Sequence, residues 1–200
     1  MADPRAQPPW VALGDRAIRF ARPARSAKTL VHAVRAWPGV VDVVVARTEV
    51  AAYFAGEPRV DVAWITALAT VPDDPDPGRE IALPARYDGP DLAEVAAALG
   101  RSIDEVCALH AGATFTVETM GFSPGFGYLA GLPAALELPR RTTPRTRVPA
   151  GSIAIAGLHT AVYPFDSPGG WHLIGSIAGV QMFGPDGPLL HLGDRVRFVP

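Results

Sequence analysis

The spacing of hydrophobic positions changes along the chain and predicts two regions of different architecture. Before residue 72, strand and helix patterns alternate. Trp10 to Phe20 predicts a strand, and the β-branched run Val40 to Val45 predicts a hairpin with Val50 to Phe54. Helical patterns cover Lys28 to Trp37 and Val60 to Val71. We therefore expect a small α+β sandwich, with helices on one face of an antiparallel sheet.

A proline-rich segment, Pro72-Asp73-Asp74-Pro75-Asp76-Pro77-Gly78, then interrupts all periodicity. Proline and glycine break both helices and strands, so we place a domain boundary in this segment. The first domain is expected to span residues 1–78 and the second residues 79–200.

The second region predicts one strand, two short helices and then many short strands. The strand is expected at Ile81 to Tyr87, and the helices begin at Asp91 and Ser102, where Glu94 and Glu105 complete capping-box patterns. Later strands are predicted at Thr114–Thr119, Ser152–Ala156, Thr160–Phe165, His172–Ile177, Val180–Phe183 and Val196–Val199. Short strands between glycine and proline turns predict a closed or nearly closed β-barrel. The fold class is therefore α+β.

Composition narrows the classes of function. The chain has 200 residues, of which 48% are hydrophobic and 19% charged, so it can bury a substantial core. A net charge of −2 gives no bulk attraction to nucleic acid or anionic membranes. The single cysteine, Cys107, excludes an internal disulfide, and neither a membrane-length apolar run nor a signal peptide is evident. We expect a cytoplasmic protein that binds neither nucleic acid nor membrane.

The chemistry-bearing residues are concentrated between Met120 and Gly175. Four arginines lie within Arg140 to Arg147, in a segment stiffened by Pro144 and Pro149. The segment is either a solvated loop or a clamp for carboxylate or phosphate, since guanidinium groups bind such anions in a bidentate manner. The run Ser167-Pro168-Gly169-Gly170-Trp171 is either a hairpin turn or a nest of backbone amides that binds an anion.

Acid/base candidates are fewer. None of the five histidines shows metal-ligand spacing, so we expect no metal site. His159, at the start of a strand near the arginine segment, is the better acid/base candidate, whereas His110 complements a helix dipole. Glu118 and Asp166 are candidate general bases. Residues 92–109 resemble a helix-turn-helix, but Asp104 and Glu105 would repel phosphates, so this segment is expected to pack structurally.

Four motifs in this order resemble the family of the 5-oxoprolinase B subunit. This family is also called allophanate hydrolase subunit 1 or the carboxyltransferase subdomain C/D family, and it includes a sporulation-kinase inhibitor. The motifs are Gly121-Phe122-Ser123-Pro124-Gly125-Phe126-Gly127-Tyr128-Leu129, Pro139 to Ser152, Ser167 to Trp171, and Gly193-Asp194-Arg195-Val196-Arg197-Phe198.

The resemblance implies a cyclophilin-like barrel at the C-terminus and a partner, the related barrel protein that forms the 5-oxoprolinase C subunit, together with an A subunit. Such complexes open the lactam of 5-oxoproline to glutamate with ATP, which we expect to be used with Mg. On this basis the chain is part of a cyclic amide hydrolase and needs its partner for activity. The expected catalytic residues are His159 and Asp166, and the expected substrate- or anion-binding residues are Arg141, Arg145, Arg147, Ser167, Gly169, Gly170, Trp171 and Phe126.

The chain departs from the family pattern between Tyr87 and Leu92, where a glutamate usual in the family is missing. Two other functions remain open at this point. One is a protein-interaction module that inhibits a sensor histidine kinase, and the other is half of a carboxyltransferase in urea or biotin chemistry.

Overall fold

The computed structural model describes residues 8–74 and 78–200, and residue contacts divide the chain into two compact units, Met1–Asp76 and Pro77–Pro200. The boundary predicted after Gly78 stays a prediction, because Pro75, Asp76 and Pro77 lie outside the described residues. Residues 1–7, on which the expectation about a signal peptide depends, also lie outside them.

The first unit is a four-stranded antiparallel sheet with two helices. Its elements are β1 (Trp10–Leu13), β2 (Ala17–Ala21), α1 (Ala27–Arg35), β3 (Val40–Val45), β4 (Glu49–Phe54) and α2 (Val62–Ala67), which continues as a 3₁₀ turn over Leu68–Thr70. The strand order is β1-β2-β4-β3. Trp37 stacks on Phe20 of the sheet and meets Trp64 of α2, so both helices cover the same face. The predicted α+β sandwich is confirmed.

The second unit is a closed seven-stranded barrel with two helices, a 3₁₀ turn over Ala134–Leu136 and two added two-stranded sheets. Its elements are β5 (Glu80–Arg86), α3 (Leu92–Leu99), α4 (Ile103–Ala111), β6 (Phe115–Met120), β7 (Gly127–Ala130), β8 (Arg145–Val148), β9 (Ser152–Ala156), β10 (His159–Val162), β11 (Ser167–Gly169), β12 (His172–Ile177), β13 (Phe183–Gly184), β14 (Gly187–Pro188) and β15 (Arg195–Val199). The barrel order is β10-β7-β6-β15-β5-β12-β9, with β15 and β5 parallel. The two added sheets pair β8 with β11 and β13 with β14. The predicted barrel is confirmed.

Strand β9 shows how the barrel acquires two apolar clusters. Successive side chains of a strand point to opposite faces. Ile153 and Ile155 therefore enter the barrel interior with residues such as Phe198. Ala154 and Ala156 face outward into a second cluster that contains the aromatic residues Phe126, Tyr128, Tyr163 and Trp171 and that packs against Val148 of β8. We call this second group the outer aromatic cluster.

Several local predictions differ from the structure. Ser167 to Gly169 is a strand, β11, which pairs with β8 inside the arginine segment, and the register shifts between Ser167 and Gly169. The strand predicted over Val180–Phe183 is wrong, since extended pairing begins only at Phe183. The capping box predicted at Asp91 is also wrong, because that carboxylate makes no cap hydrogen bond. The box at Ser102 is confirmed.

Candidate functional site

Asp91 is the centre of a buried ion-pair cluster. Its side chain is 3% exposed and accepts hydrogen bonds from Arg145 Nη2 and, at 3.1 Å, from Arg141 Nη1. Its second oxygen accepts from the backbone N–H of Leu173 on β12 at 2.7 Å. Burial alone would raise the pKa of Asp91, but the hydrogen bonds and charges of Arg145, Leu173 and Arg141 lower it below its usual value. The cluster fastens the two-stranded β8–β11 sheet to the barrel.

Arg147 does not join this cluster. It donates to Asp166 from Nε at 2.8 Å, and Asp166 also accepts from the backbone N–H of Ala150 at 2.8 Å. The Arg147 side chain is 78% exposed. The Ala150 hydrogen bond and then the Arg147 hydrogen bond lower the pKa of Asp166. With both oxygens engaged, Asp166 is a poor proton acceptor, contrary to our expectation of a catalytic residue.

The arginine segment therefore differs from the predicted three-arginine clamp. Arg141 and Arg145 converge on a carboxylate of the protein itself, and Arg147 binds a different one. Arg141 Nε and Arg145 Nη1 have no hydrogen-bond partner and are sealed from solvent. Because both atoms are buried, an external anion cannot contact them in this conformation. The sequence showed the arginines but not Asp91, because that pairing spans some fifty residues.

The turn from Ser167 to Trp171 is shaped by the ring of Tyr163. Gly170 O accepts from the backbone N–H of Arg141 at 2.8 Å. A Cβ added to Gly169 would lie 2.2 Å from Tyr163 Oη, so any side chain there would force the Tyr163 ring to move. Ser167 Oγ donates to the carbonyl of Phe165 at 3.3 Å. Neither Gly169 nor Gly170 has a positive φ, so the turn lacks the alternating handedness of an anion-binding nest.

Phe126 lies at the centre of the outer aromatic cluster. Its ring meets those of Tyr128 at 5.0 Å, Tyr163 at 5.4 Å and Trp171 at 5.9 Å, all edge to face, as aromatic quadrupoles favour. Phe126 and Trp171 are buried, at 2% and 6% exposure. Phe126 and Trp171, which we expected to bind substrate, are therefore packing residues inside the outer aromatic cluster. Tyr128 is partly exposed and connects the outer aromatic cluster to His159.

His159 forms a close pair with Glu118. Its Nε2 lies 2.9 Å from Glu118 Oε2, and the ring of Tyr128 meets the imidazole edge to face at 6.2 Å. Both side chains of the pair are accessible, at 19% and 33% exposure. Of the predicted residues, His159 thus has the geometry of an acid/base group. From the sequence, Glu118 was a separate candidate for a general base, and nothing in the sequence indicated that it would contact His159.

His110 has a structural place. It is fully buried, with Nδ1 2.8 Å from Tyr87 Oη and Nε2 2.9 Å from Thr160 Oγ1. Thr160 donates to the carbonyl of Ala154, so it accepts from His110 Nε2–H, and Tyr87 donates to Nδ1. Burial lowers the pKa of His110 to about 3. The dipole role expected for His110 is replaced by this internal network.

The part of the chain that the structure describes shows neither a metal-binding cluster nor a membrane-spanning helix. Across residues 8–74 and 78–200, no group of three or more His, Cys, Asp or Glu side chains is arranged to hold a metal ion. Within the same ranges, no helix has the length and apolar character needed to span a bilayer.

Comparison with known proteins places this architecture in a family. Residues 11–189 match the family described as carboxyltransferase domain, subdomain C and D. The chain is 42% identical over 190 residues to the 5-oxoprolinase B subunit of Escherichia coli O157:H7, covering 91% of this chain and 84% of that protein. It is 42% identical over 139 residues to the 5-oxoprolinase B subunit of Bacillus subtilis (strain 168), covering 66% of this chain and 58% of that one.

Solved structures share the fold. TTHA0988 matches with a TM-score of 0.74 at 37% identity over 92% of this chain, which spans only 39% of that longer chain. The uncharacterized protein PH0987 from Pyrococcus horikoshii matches at 30% identity and a TM-score of 0.59, covering 96% of both chains. The Kluyveromyces lactis urea carboxylase, at 16% identity, a TM-score of 0.67 and 21% of its chain covered, shares the fold alone.

The closed barrel and these neighbours confirm the cyclophilin-like fold expected for the second domain. The family match spans most of the sequence, and the curated relatives carry one name. This chain belongs to the carboxyltransferase domain, subdomain C and D, family, to which its resemblance to the 5-oxoprolinase B subunit pointed.

Proposed function

We propose that this chain is the B subunit of an ATP-dependent 5-oxoprolinase that opens the lactam ring of 5-oxoproline to glutamate. The observation that carries the proposal is the 42% identity to the Escherichia coli protein over 91% of this chain and 84% of that protein. Because the relatives are named as subunits, we further propose that the chain acts in a complex. Its partners would be a barrel protein similar to the 5-oxoprolinase C subunit, together with an A subunit. An ATP-dependent activity suits the cytoplasm.

His159 and Glu118 supply the proton transfer in this proposal. Glu118 accepts the Nε2 proton of the neutral imidazole, which leaves the lone pair on Nδ1 free to accept a proton from an attacking water. Glu118 then stabilises the imidazolium that forms. A general base of this kind contributes roughly 10²- to 10⁴-fold to a rate.

Hydrolysis of ATP to ADP and phosphate would supply the free energy for opening the poorly electrophilic lactam. The described residues of this chain do not fit the nucleotide or its Mg²⁺. Arg141, Arg145 and Arg147 are each paired with a carboxylate of the protein, and no described cluster of acidic side chains could hold the metal. We therefore propose that a partner protein binds the nucleotide and that this chain acts on the substrate.

The other two functions considered from the sequence have less support. No observation on the described residues favours inhibition of a histidine kinase. The likeness to urea carboxylase, at 16% identity, concerns the fold alone.

The test is to co-express the chain with its partner proteins and measure ADP and glutamate formed from 5-oxoproline and ATP. The complex should release both products only when 5-oxoproline is present. His32→Asn, on helix α1 of the other unit, is a matched control for His159→Asn and should retain full activity. A well-folded complex without 5-oxoproline-dependent turnover would refute the proposal.

A further inference from the structure

The hydroxyl of Tyr163 is a polar group at the surface of the outer aromatic cluster that the structure leaves without a partner. The residue is 2% exposed, and within residues 8–74 and 78–200 its Oη makes no hydrogen bond. In the described residues, the side-chain atoms that are both buried from solvent and without a hydrogen-bond partner are Ser123 Oγ, Arg141 Nε, Arg145 Nη1 and His172 Nδ1. Since Tyr163 Oη is not among them, the small exposed part of this residue includes its hydroxyl.

The position of this hydroxyl is fixed by the turn beside it. Gly169 leaves room for Tyr163 Oη, as an added Cβ would stand 2.2 Å from it. Gly169 is also the register partner of Arg145 on β8, so the phenol lies beside the arginine segment. The ring itself is held edge to face by Phe126 at 5.4 Å. A phenol positioned in this way offers one directed donor.

The surroundings of the hydroxyl are cationic. Burial raises the pKa of Tyr163, and the charges of Arg140 and Arg145 oppose that change only in part, so the phenol keeps its proton and acts as a donor. Arg145 is already paired with Asp91, whereas Arg140 is exposed and forms no ion pair among the described residues.

Arg140 directly precedes Arg141, whose backbone N–H donates to the carbonyl of Gly170 at 2.8 Å. Gly169, the preceding residue of that turn, is the residue beside Tyr163 Oη. Arg140 is therefore carried by the segment that borders the turn next to the phenol.

Phe122 adds an apolar wall to the same place. Its ring lies edge to face against Tyr163 at 6.3 Å and against Phe126 at 5.2 Å, yet the residue is 58% exposed. Its φ of 73° is in the left-handed region, which costs a non-glycine residue of order 1–3 kcal/mol and is concentrated at functional sites. More than half of this residue is open to solvent.

We propose that Tyr163 and Arg140 bind the carboxylate of a small organic acid and that Phe122 contacts the apolar body of the same molecule. The inference rests on the proposed function in that the acid would be the lactam substrate, whose carboxylate is not part of the reacting bond. A phenol donor, a guanidinium and an exposed aromatic ring suit a molecule with one anionic end and an apolar body. The sequence placed Arg140 in the arginine segment but not among the expected binding residues, and it did not indicate Tyr163.

Calorimetric titration of the full chain tests the subsite with two probes, 5-oxoproline and 2-pyrrolidinone, the same ring without the carboxylate. Tyr163→Phe and Arg140→Gln should each weaken 5-oxoproline binding about tenfold, the loss expected for one hydrogen bond to a charged group. Binding of 2-pyrrolidinone should not change. Tyr53→Phe, a partly exposed tyrosine in the first unit, is the matched control and should behave as wild type.

Four results would overturn the subsite: unchanged 5-oxoproline affinity in both variants, an equal loss for both probes, no binding of 5-oxoproline by the wild-type chain, or stronger binding of inorganic phosphate through the same residues. Arg140→Gln changes only a surface side chain, so it decides the question if Tyr163→Phe folds poorly. A different result would contradict the proposed function. A complex that binds 5-oxoproline through Tyr163 but never forms glutamate would contradict the activity and leave the subsite intact.

Discussion

Glu118 lies 2.9 Å from His159 although strand β7 separates the strands that carry them. The register between β6 and β7 shifts between Val117 and Thr119, so Glu118 occupies a bulge. A β-bulge leaves one residue outside the regular pairing and redirects its side chain. We infer that this bulge is what allows the carboxylate to reach the imidazole at the start of β10.

The first prediction concerns this pair. Glu118→Gln keeps a hydrogen-bond acceptor for His159 but removes the charge that stabilises an imidazolium. In the assembled complex, kcat should fall about 10- to 100-fold, while KM changes little. Steady-state kinetics measure both parameters, and thermal unfolding should show a near-native midpoint. An unchanged kcat would exclude the charge of Glu118 from catalysis.

Asp91 provides a prediction about stability. Asp91→Asn removes the buried charge on which Arg145 and Arg141 converge. It leaves Arg145 without an ion-pair partner among the described residues and Arg141 with only the exposed carboxylate of Glu94. Breaking a buried pair in this way costs about 3–5 kcal/mol, which urea unfolding detects.

The matched control is Asp166→Asn, whose partner Arg147 is 78% exposed, and it should destabilise the protein far less because solvent screens the pair. Equal effects of the two variants would contradict the anchoring role of Asp91.

Gly169 provides a third prediction. In Gly169→Ala the new methyl group would meet Tyr163 Oη at 2.2 Å and Cζ at 2.8 Å, so the ring must move. Such overpacking costs about 1–3 kcal/mol of unfolding free energy. Adding Tyr163→Phe should restore part of the loss, because only the nearest atom is removed. Gly56→Ala, with nothing within 4 Å of its added Cβ, is the control and should not destabilise the protein.

His110 predicts how stability depends on pH. Its pKa is lowered from 6.5 to about 3 in the folded state, so below pH 6.5 the unfolded chain binds a proton that the folded chain does not. This contribution to stability is complete above pH 6.5 and decreases by about 1.4 kcal/mol per pH unit down to about pH 3. Urea unfolding at several pH values should show a shallower decrease in His110→Asn than in wild type. Histidine NMR signals give a second check, since a His110 ring that titrates near pH 6 in the folded protein would contradict the buried network.

The regular part of the fold follows from local chemistry. Val40–Val45, Ser152–Ala156 and His172–Ile177 form strands with the predicted bounds, because β-branched and apolar residues alternate or cluster there. The helix after Ser102 begins where its capping box indicates. In contrast, β8 and β11 consist largely of arginine, proline and glycine, residues that favour strands only when a partner is supplied by tertiary structure.

The sequence allowed us to predict several residues of the site but not the contacts between them. The sequence indicated His159, Glu118 and the arginines individually. It could not show that Asp91 would neutralise Arg141 and Arg145, since a cap position predicts a local hydrogen bond rather than a partner fifty residues away. It also gave no sign of the bulge at Glu118, because register shifts depend on pairing between strands.

The central claim is that His159 transfers a proton in the opening of 5-oxoproline. Its most direct measurement is glutamate formation by the assembled complex carrying His159→Asn, with the native fold verified by its unfolding midpoint. We predict that the rate of glutamate formation falls by about 100-fold or more while 5-oxoproline still binds. Glutamate formation at the wild-type rate would contradict the account.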